Sequence, residues 1–156
     1  MLEVKIYPIR ALYEAVKSAP VSGAAVISTS FSVREERLPL RHITEVYDDL
    51  DREVPGRSLS PEAAQRMADF IRSIPPQTRI VYTACDSGMC RSSAVAAAVC
   101  RWFGLDEMAI WENPSYSPNP LVYVSLCDCL GLPVEDAELD LRIETNRMAF
   151  RRAVRR

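Results

Sequence analysis

One stretch limits the fold of this chain more than any other, the stretch from residue 79 to residue 100. Arg79-Ile80-Val81-Tyr82-Thr83-Ala84 is rich in β-branched and apolar residues and reads as a strand. Ser93-Ala94-Val95-Ala96-Ala97-Ala98-Val99-Cys100 is apolar nearly all round, which predicts a central helix with no face left for water. Between them runs Cys85-Asp86-Ser87-Gly88-Met89-Cys90-Arg91-Ser92, a polar loop that must turn a buried strand into a buried helix.

The flanking sequence fills in the layers. Val4-Lys5-Ile6-Tyr7 predicts a first strand, and Pro8 to Ser18 carries Ile9, Leu12, Tyr13 and Val16 at helical spacing behind an N-terminal proline. Ala24 to Ser28 is a short apolar run that suits a buried strand. Val33 to Leu40 is charged and reads as a loop. His42 to Tyr47 alternates loosely as a third strand, ending in the acidic run Asp48-Asp49-Leu50-Asp51. Ser60-Pro61-Glu62 is a helix start, with Ala64, Met67, Ala68 and Ile71 on one face and Pro75-Pro76 as the stop near Ile74. Further helices are expected around Asp106–Trp111, Pro120–Leu130 and Glu135–Val154. Strands alternating with helices predict an α/β fold: a short, mostly parallel central sheet flanked by helices. With no repeat and no long linker, residues 1–156 read as a single domain.

Composition narrows the function classes. The formal net charge of −2 gives no global basic field, so nucleic acid is not an expected partner. The arginines at 147, 151, 152, 155 and 156 read as a solvated helix end favoured by the helix dipole. The cysteines Cys85, Cys90, Cys100, Cys127 and Cys129 are odd in number and confined to the second half, which suits a reducing compartment better than a disulfide framework. No secretory leader and no membrane-length apolar run is visible, so a cytoplasmic protein without a membrane partner is expected. Cys127 and Cys129 stand two apart on a predicted helix, a poor metal pair. Neither a metal nor a cofactor is expected. His42, the single histidine, reads as structural, and Trp102, Phe103 and Trp111 read as packing residues.

The loop from Cys85 to Ser92 carries the chemistry. At a helix N-terminus the unpaired N–H groups and the helix dipole both attract anions. Gly88 can adopt the angles that turn successive amides inward as an anion nest. The same groups favour a thiolate at Cys85. Arg91 offers a planar fork for phosphate oxygens, and Ser92 a hydroxyl for the thiolate.

The segment Cys85-x5-Arg91-Ser92, with Gly88 third after the cysteine, resembles the phosphate loop of the protein tyrosine phosphatase superfamily. The chain as a whole is similar to small bacterial tyrosine phosphatases related to dual-specificity phosphatases. The markers are Tyr47-Asp48-Asp49-Leu50, the helix from Ser60 to Ile74, the loop itself, and Pro118-Asn119 leading to Leu130-Gly131. That resemblance implies a dual-specificity-phosphatase-like fold and a phosphatase acting on phosphotyrosine, with dual specificity left open. The substrate would be a phosphorylated protein or a small phosphomonoester. Cys85 would be the nucleophile, and Asp86, Ser87, Gly88, Met89, Cys90 and Arg91 would cradle phosphate. Ser92 would assist departure of the thiolate. Asp49 is the first choice of general acid, ahead of Asp48 and Asp51; Asp86 could act from within the loop. Asn119 either orients the site or simply starts a helix.

Two departures from the family pattern bear on mechanism. Ala84 stands where most members carry histidine. Cys90, just before Arg91, gives Cys-x4-Cys-Arg-Ser, which resembles the loop of low-molecular-weight tyrosine phosphatases and thioredoxin-linked arsenate reductases. Those families carry the loop near the N-terminus, so this likeness is confined to the loop. Cys90 is nevertheless a candidate redox partner that would capture oxidised Cys85 as a disulfide. An arsenate-reductase-like redox enzyme and a catalytically weak phosphate-binding protein are the alternative functions.

Overall fold

The computed structural model describes residues 1–20, 22–30, 38 and 40–156. Of the loop expected from Val33 to Leu40, all but Leu38 and Leu40 lie outside the described residues. In chain order the elements are strand β1 (Glu3–Pro8), helix α1 (Ile9–Val16), β2 (Ala24–Ser28), β3 (Arg41–Thr44), α2 (Pro61–Arg72), β4 (Ile80–Cys85), α3 (Arg91–Phe103), α4 (Met108–Trp111), α5 (Pro120–Cys129) and α6 (Asp136–Val154). The strands form one sheet in the order β1-β4-β2-β3, with every neighbouring pair parallel. The expected α/β architecture is therefore what the chain adopts.

Side chains alternate across the sheet with period two, and the two faces receive different partners. Ala25, Ile27 and Val81 point into a large core shared with α2, α3 and α5. Ala24, Val26, Tyr82 and Ala84 point the other way, against Ile9, Leu12 and Val16 of α1. Helix α3 is buried from Ser92 to Cys100 without interruption, as its all-round apolar sequence requires. It stops at Gly104, whose φ of 69° is the left-handed cap that glycine adopts without strain.

Polar residues set two other helix starts. Ser60 accepts from the Ala63 amide at 3.1 Å ahead of Pro61, and Asn119 accepts from the Val122 amide at 3.2 Å ahead of Pro120. The third strand is shorter than the expected His42–Tyr47. Its partner β2 ends at Ser28, and past Thr44 the backbone finds other partners: the Tyr47 carbonyl takes a donor from Arg91, and the Asp48 amide bonds the Arg57 carbonyl. The ladder cannot continue once those groups are committed. His42 lies on this strand with Nδ1 2.8 Å from the Leu40 carbonyl, a local structural contact.

Sequence periodicity gave no hint of the buried carboxylate at Glu107. It accepts from Trp111 Nε1 at 3.1 Å, Tyr123 OH at 2.5 Å and Arg142 Nε at 2.7 Å, tying α4, α5 and α6 together. Trp111 meets Tyr123 edge-on, with ring centroids 5.2 Å apart, beneath that carboxylate.

Candidate active site

The loop leaves β4 at Cys85 and enters α3 at Arg91, in the middle of the sheet rather than at its rim. Its shape follows from where its carbonyls go. The Met89 carbonyl accepts from Ser93 Oγ at 2.5 Å and from the Ser117 amide at 3.1 Å. The Cys90 carbonyl accepts from Ser93 Oγ at 3.2 Å and from the Asn119 amide at 3.1 Å. With these carbonyls turned outward, amides face the centre. Those of Gly88, Met89 and Ser92 all reach Cys85. Gly88 has φ of +67°, and a Cβ there would lie 2.4 Å from the Pro8 backbone nitrogen.

Cys85 is buried, with Sγ 3.1 Å from Ser92 Oγ. Burial alone would raise its pKa. The Ser92 hydroxyl, with the amides of Ser92, Met89 and Gly88, outweighs that penalty and holds the thiol below its ordinary value. Ala84 beside it is buried in the apolar layer under α1, so the activating groups all come from the loop side.

Arg91 is braced for a fixed orientation. Its Nη1 donates to the Tyr47 carbonyl at 2.8 Å and the Thr29 carbonyl at 3.2 Å, beyond the ends of β3 and β2. Its Nη2 faces Asp86 Oδ2 at 3.3 Å. The Asp86 carboxylate also takes a hydrogen bond from Ser30 Oγ. That hydroxyl, with Arg91 beside it, holds the Asp86 carboxyl below the usual range against a small opposing effect of burial. Asp86, within the loop, is thereby tied to Ser30 and Arg91.

The acidic run divides by contact. Asp48 pairs with Arg57 at 3.0 Å and belongs to the outer loop. Asp51 is exposed. Asp49 alone of the three is joined to the Cys85–Arg91 loop: Asn119 Nδ2 donates to its Oδ1 at 2.7 Å, and the Cys90 thiol hydrogen-bonds the same carboxylate. Asn119 starts the helix and also reaches Asp49. Its side-chain oxygen caps α5 while its amide nitrogen holds Asp49 and the Leu50 carbonyl, the latter at 3.0 Å. Burial first, and the Asp49 carboxylate second, push the Cys90 thiol up to about 11, so it is a protonated donor at neutral pH. Cys85 and Cys90 are both free thiols.

Sequence reasoning singled out the loop and preferred Asp49 but did not reach the groups that hold the loop: Thr29 and Tyr47 through their carbonyls, Ser30, Ser93 and Ser117. Nothing in residue type marks a backbone carbonyl as a guanidinium tether. Among the described residues no cluster of histidine, cysteine or carboxylate side chains is arranged to hold a metal ion.

Fold and loop together define a class, a parallel α/β domain with a thiol and a guanidinium held in one loop at a strand-to-helix junction. Solved structures similar to the chain include a variant of human DUSP28 (11% identity, TM-score 0.49, covering 96% of this chain and 92% of that one). Tk-PTP in its active form shares 16% identity at TM-score 0.45, over 92% and 90% of the two chains. The Yvh1 phosphatase domain from Chaetomium thermophilum shares 14% at TM-score 0.45, over 92% and 88%. No protein-family model and no curated protein matches the sequence.

Proposed function

We propose that the chain is a cysteine-dependent phosphomonoesterase that hydrolyses phosphotyrosine through a phosphocysteine intermediate. The observation that carries this reading is Cys85 itself: a buried sulfur, lowered in pKa, meeting the Ser92 hydroxyl at 3.1 Å in the same loop as a braced Arg91. The Cys85 thiolate attacks phosphorus in line, forming the S–P bond as the P–O bond to the phenol breaks. The loop amides and Arg91 hold the equatorial oxygens, whose charge is greatest in the transition state. Asp49 gives its proton to the departing phenolate and then, as carboxylate, takes one from the water that breaks the S–P bond. Ser92 stabilises the returning thiolate.

Two features weigh against a thiol-relay reductase. Cys127 is buried in the α5 core with its thiol pushed up to about 12, and Cys129 is also raised, in both cases chiefly by burial. Neither is prepared to attack a disulfide.

The reading is tested by 4-nitrophenyl phosphate hydrolysis together with acid quenching and mass mapping. Turnover with a phosphoryl group trapped on Cys85 is expected; absence of turnover at every pH overturns it. Asp49→Ala gives the second test. Wild-type kcat/KM is expected to rise with pH as Cys85, its thiol lowered by the loop donors, ionises. The variant should keep that limb and turn over about 100-fold more slowly. An unchanged rate would move the acid role to another carboxyl.

A further inference from the structure

Helix α6 is the longest described element, yet none of its residues is fully buried. Its inner side is held by the Arg142–Glu107 pair and by Asn146, whose amide donates to the Trp111 and Tyr116 carbonyls at 3.0 and 2.9 Å. From Phe150 onward every residue is exposed. Phe150 is 59% exposed and Val154 68%. Around them stand Arg147, Arg151, Arg152, Arg155 and Arg156, with no acidic residue after Glu144. Glu144 reaches Arg147 only at 4.0 Å, and both are open to water.

Phe150, Arg151 and Val154 lie three, four and seven residues after Arg147, and so share one side of the helix with it. Arg147, Phe150 and Arg151 line a groove of about 390 Å³ with Pro114, Tyr116 and Met89. Met89 links the two regions: its amide reaches Cys85, and its side chain, 46% exposed, lines the groove.

We propose that this face docks on an anionic phospholipid bilayer, with Phe150, Val154 and Met89 entering the interface and the arginines meeting lipid phosphates. Solvation of a basic helix end accounts for the arginines but not for a phenylalanine and a valine left in water between them. The cations do not converge on one point, as recognition of a single acidic side chain would require; Arg147, Arg151 and Arg155 recur every four residues along the side of the helix that carries Phe150 and Val154. That distribution complements a continuous sheet of negative charge, and apolar side chains that protrude among cations suit the boundary between headgroups and acyl chains. Docking of this kind is peripheral, consistent with the absence among the described residues of any helix long and apolar enough to span a membrane. It brings the rim of the Cys85 loop to the headgroup layer.

Co-sedimentation with two kinds of vesicle tests this, one of phosphatidylcholine alone and one of phosphatidylcholine mixed with phosphatidylserine. Binding to the mixed vesicles only is expected, weakening as salt is raised. Arg147→Gln with Arg151→Gln should lower partitioning about thirtyfold, and Phe150→Ser with Val154→Ser about tenfold or more. Circular dichroism and Tm establish that the variants remain folded. No binding, equal binding to neutral vesicles, or binding indifferent to both variant pairs overturns the proposal. Capture of an acidic phosphotyrosine peptide through the same arginines without vesicle binding would assign the face to a peptide. A dimer in light scattering that covers Phe150 would assign it to a second copy. No turnover is measured, so docking and hydrolysis stand or fall separately.

Discussion

Replacing Cys85 with serine is expected to reduce aryl-phosphate turnover by a factor on the order of 10⁵ to 10⁶, the scale seen when a covalent nucleophile is removed from a preorganised site. The loop's amides and the Ser92 hydroxyl lower the Cys85 thiol from a starting point of about 8.5, within reach of such donors. An alcohol starts many units higher, and the same donors leave it protonated. The rest of the loop is untouched by the change. Gly88, Met89 and Ser92 still present their amides, and Arg91 stays tethered to the Thr29 and Tyr47 carbonyls. Inorganic phosphate should therefore bind Cys85→Ser at least as tightly as wild type, since the anion no longer shares the loop with a thiolate. Stopped assays for turnover and calorimetry for phosphate give the two numbers. Activity surviving at more than about a thousandth of wild type would remove Cys85 from the nucleophile role. Loss of phosphate binding along with turnover would mean that the substitution had collapsed the loop.

The legible and illegible parts of this site differ in a physical way. Cys85, Gly88, Arg91 and Ser92 were readable because loop chemistry is local: each acts through its own side chain or φ on atoms a few residues away. Layer order was readable too, since the all-round apolar run of α3 permits only a central position. Sequence does not record the contacts that cross long separations through the backbone. Arg91 is oriented by carbonyls at positions 29 and 47, which any residue type supplies. The choice among Asp48, Asp49 and Asp51 rested on resemblance. In the fold only Asp49 is reached by the amide of Asn119, some 70 positions along the chain. The third strand was read too long for the same reason, because the alternation through Tyr47 says nothing of an arginine waiting for its carbonyl. Glu107 was invisible as a buried charge because its partners Arg101, Tyr123 and Arg142 come from three other helices.

Gly88→Ala separates these two kinds of information, because Gly88 has both a local and a distant reason to be glycine. Locally, φ of +67° disfavours any side chain by about 1 kcal/mol. Gly104 carries the same local cost at φ +69°, and a Cβ there would meet nothing within 4 Å. At Gly88 the added carbon would fall 2.4 Å from Pro8 N and 2.7 Å from the Tyr7 carbonyl carbon, both backbone atoms at the junction of β1 and α1. Neither can rotate away as a flexible side chain would. Either the loop lifts from the sheet or the end of β1 withdraws, adding an overpacking cost of about 1–3 kcal/mol. The Gly88 amide would move with the loop, so Cys85 would lose a donor and the anion site its shape. Gly88→Ala is expected to lower Tm by roughly 5–15 °C at about 2–4 °C for each kcal/mol and to cut kcat/KM about 100-fold or more. Gly104→Ala should cost a few degrees and leave kcat/KM unchanged. A shared small loss of Tm, with activity intact in both variants, would show that the loop is not pinned by the β1–α1 junction. A drop in kcat/KM at Gly88 alone, joined to a rise in the pH at which Cys85 is alkylated, would fix the cause as the displaced amide.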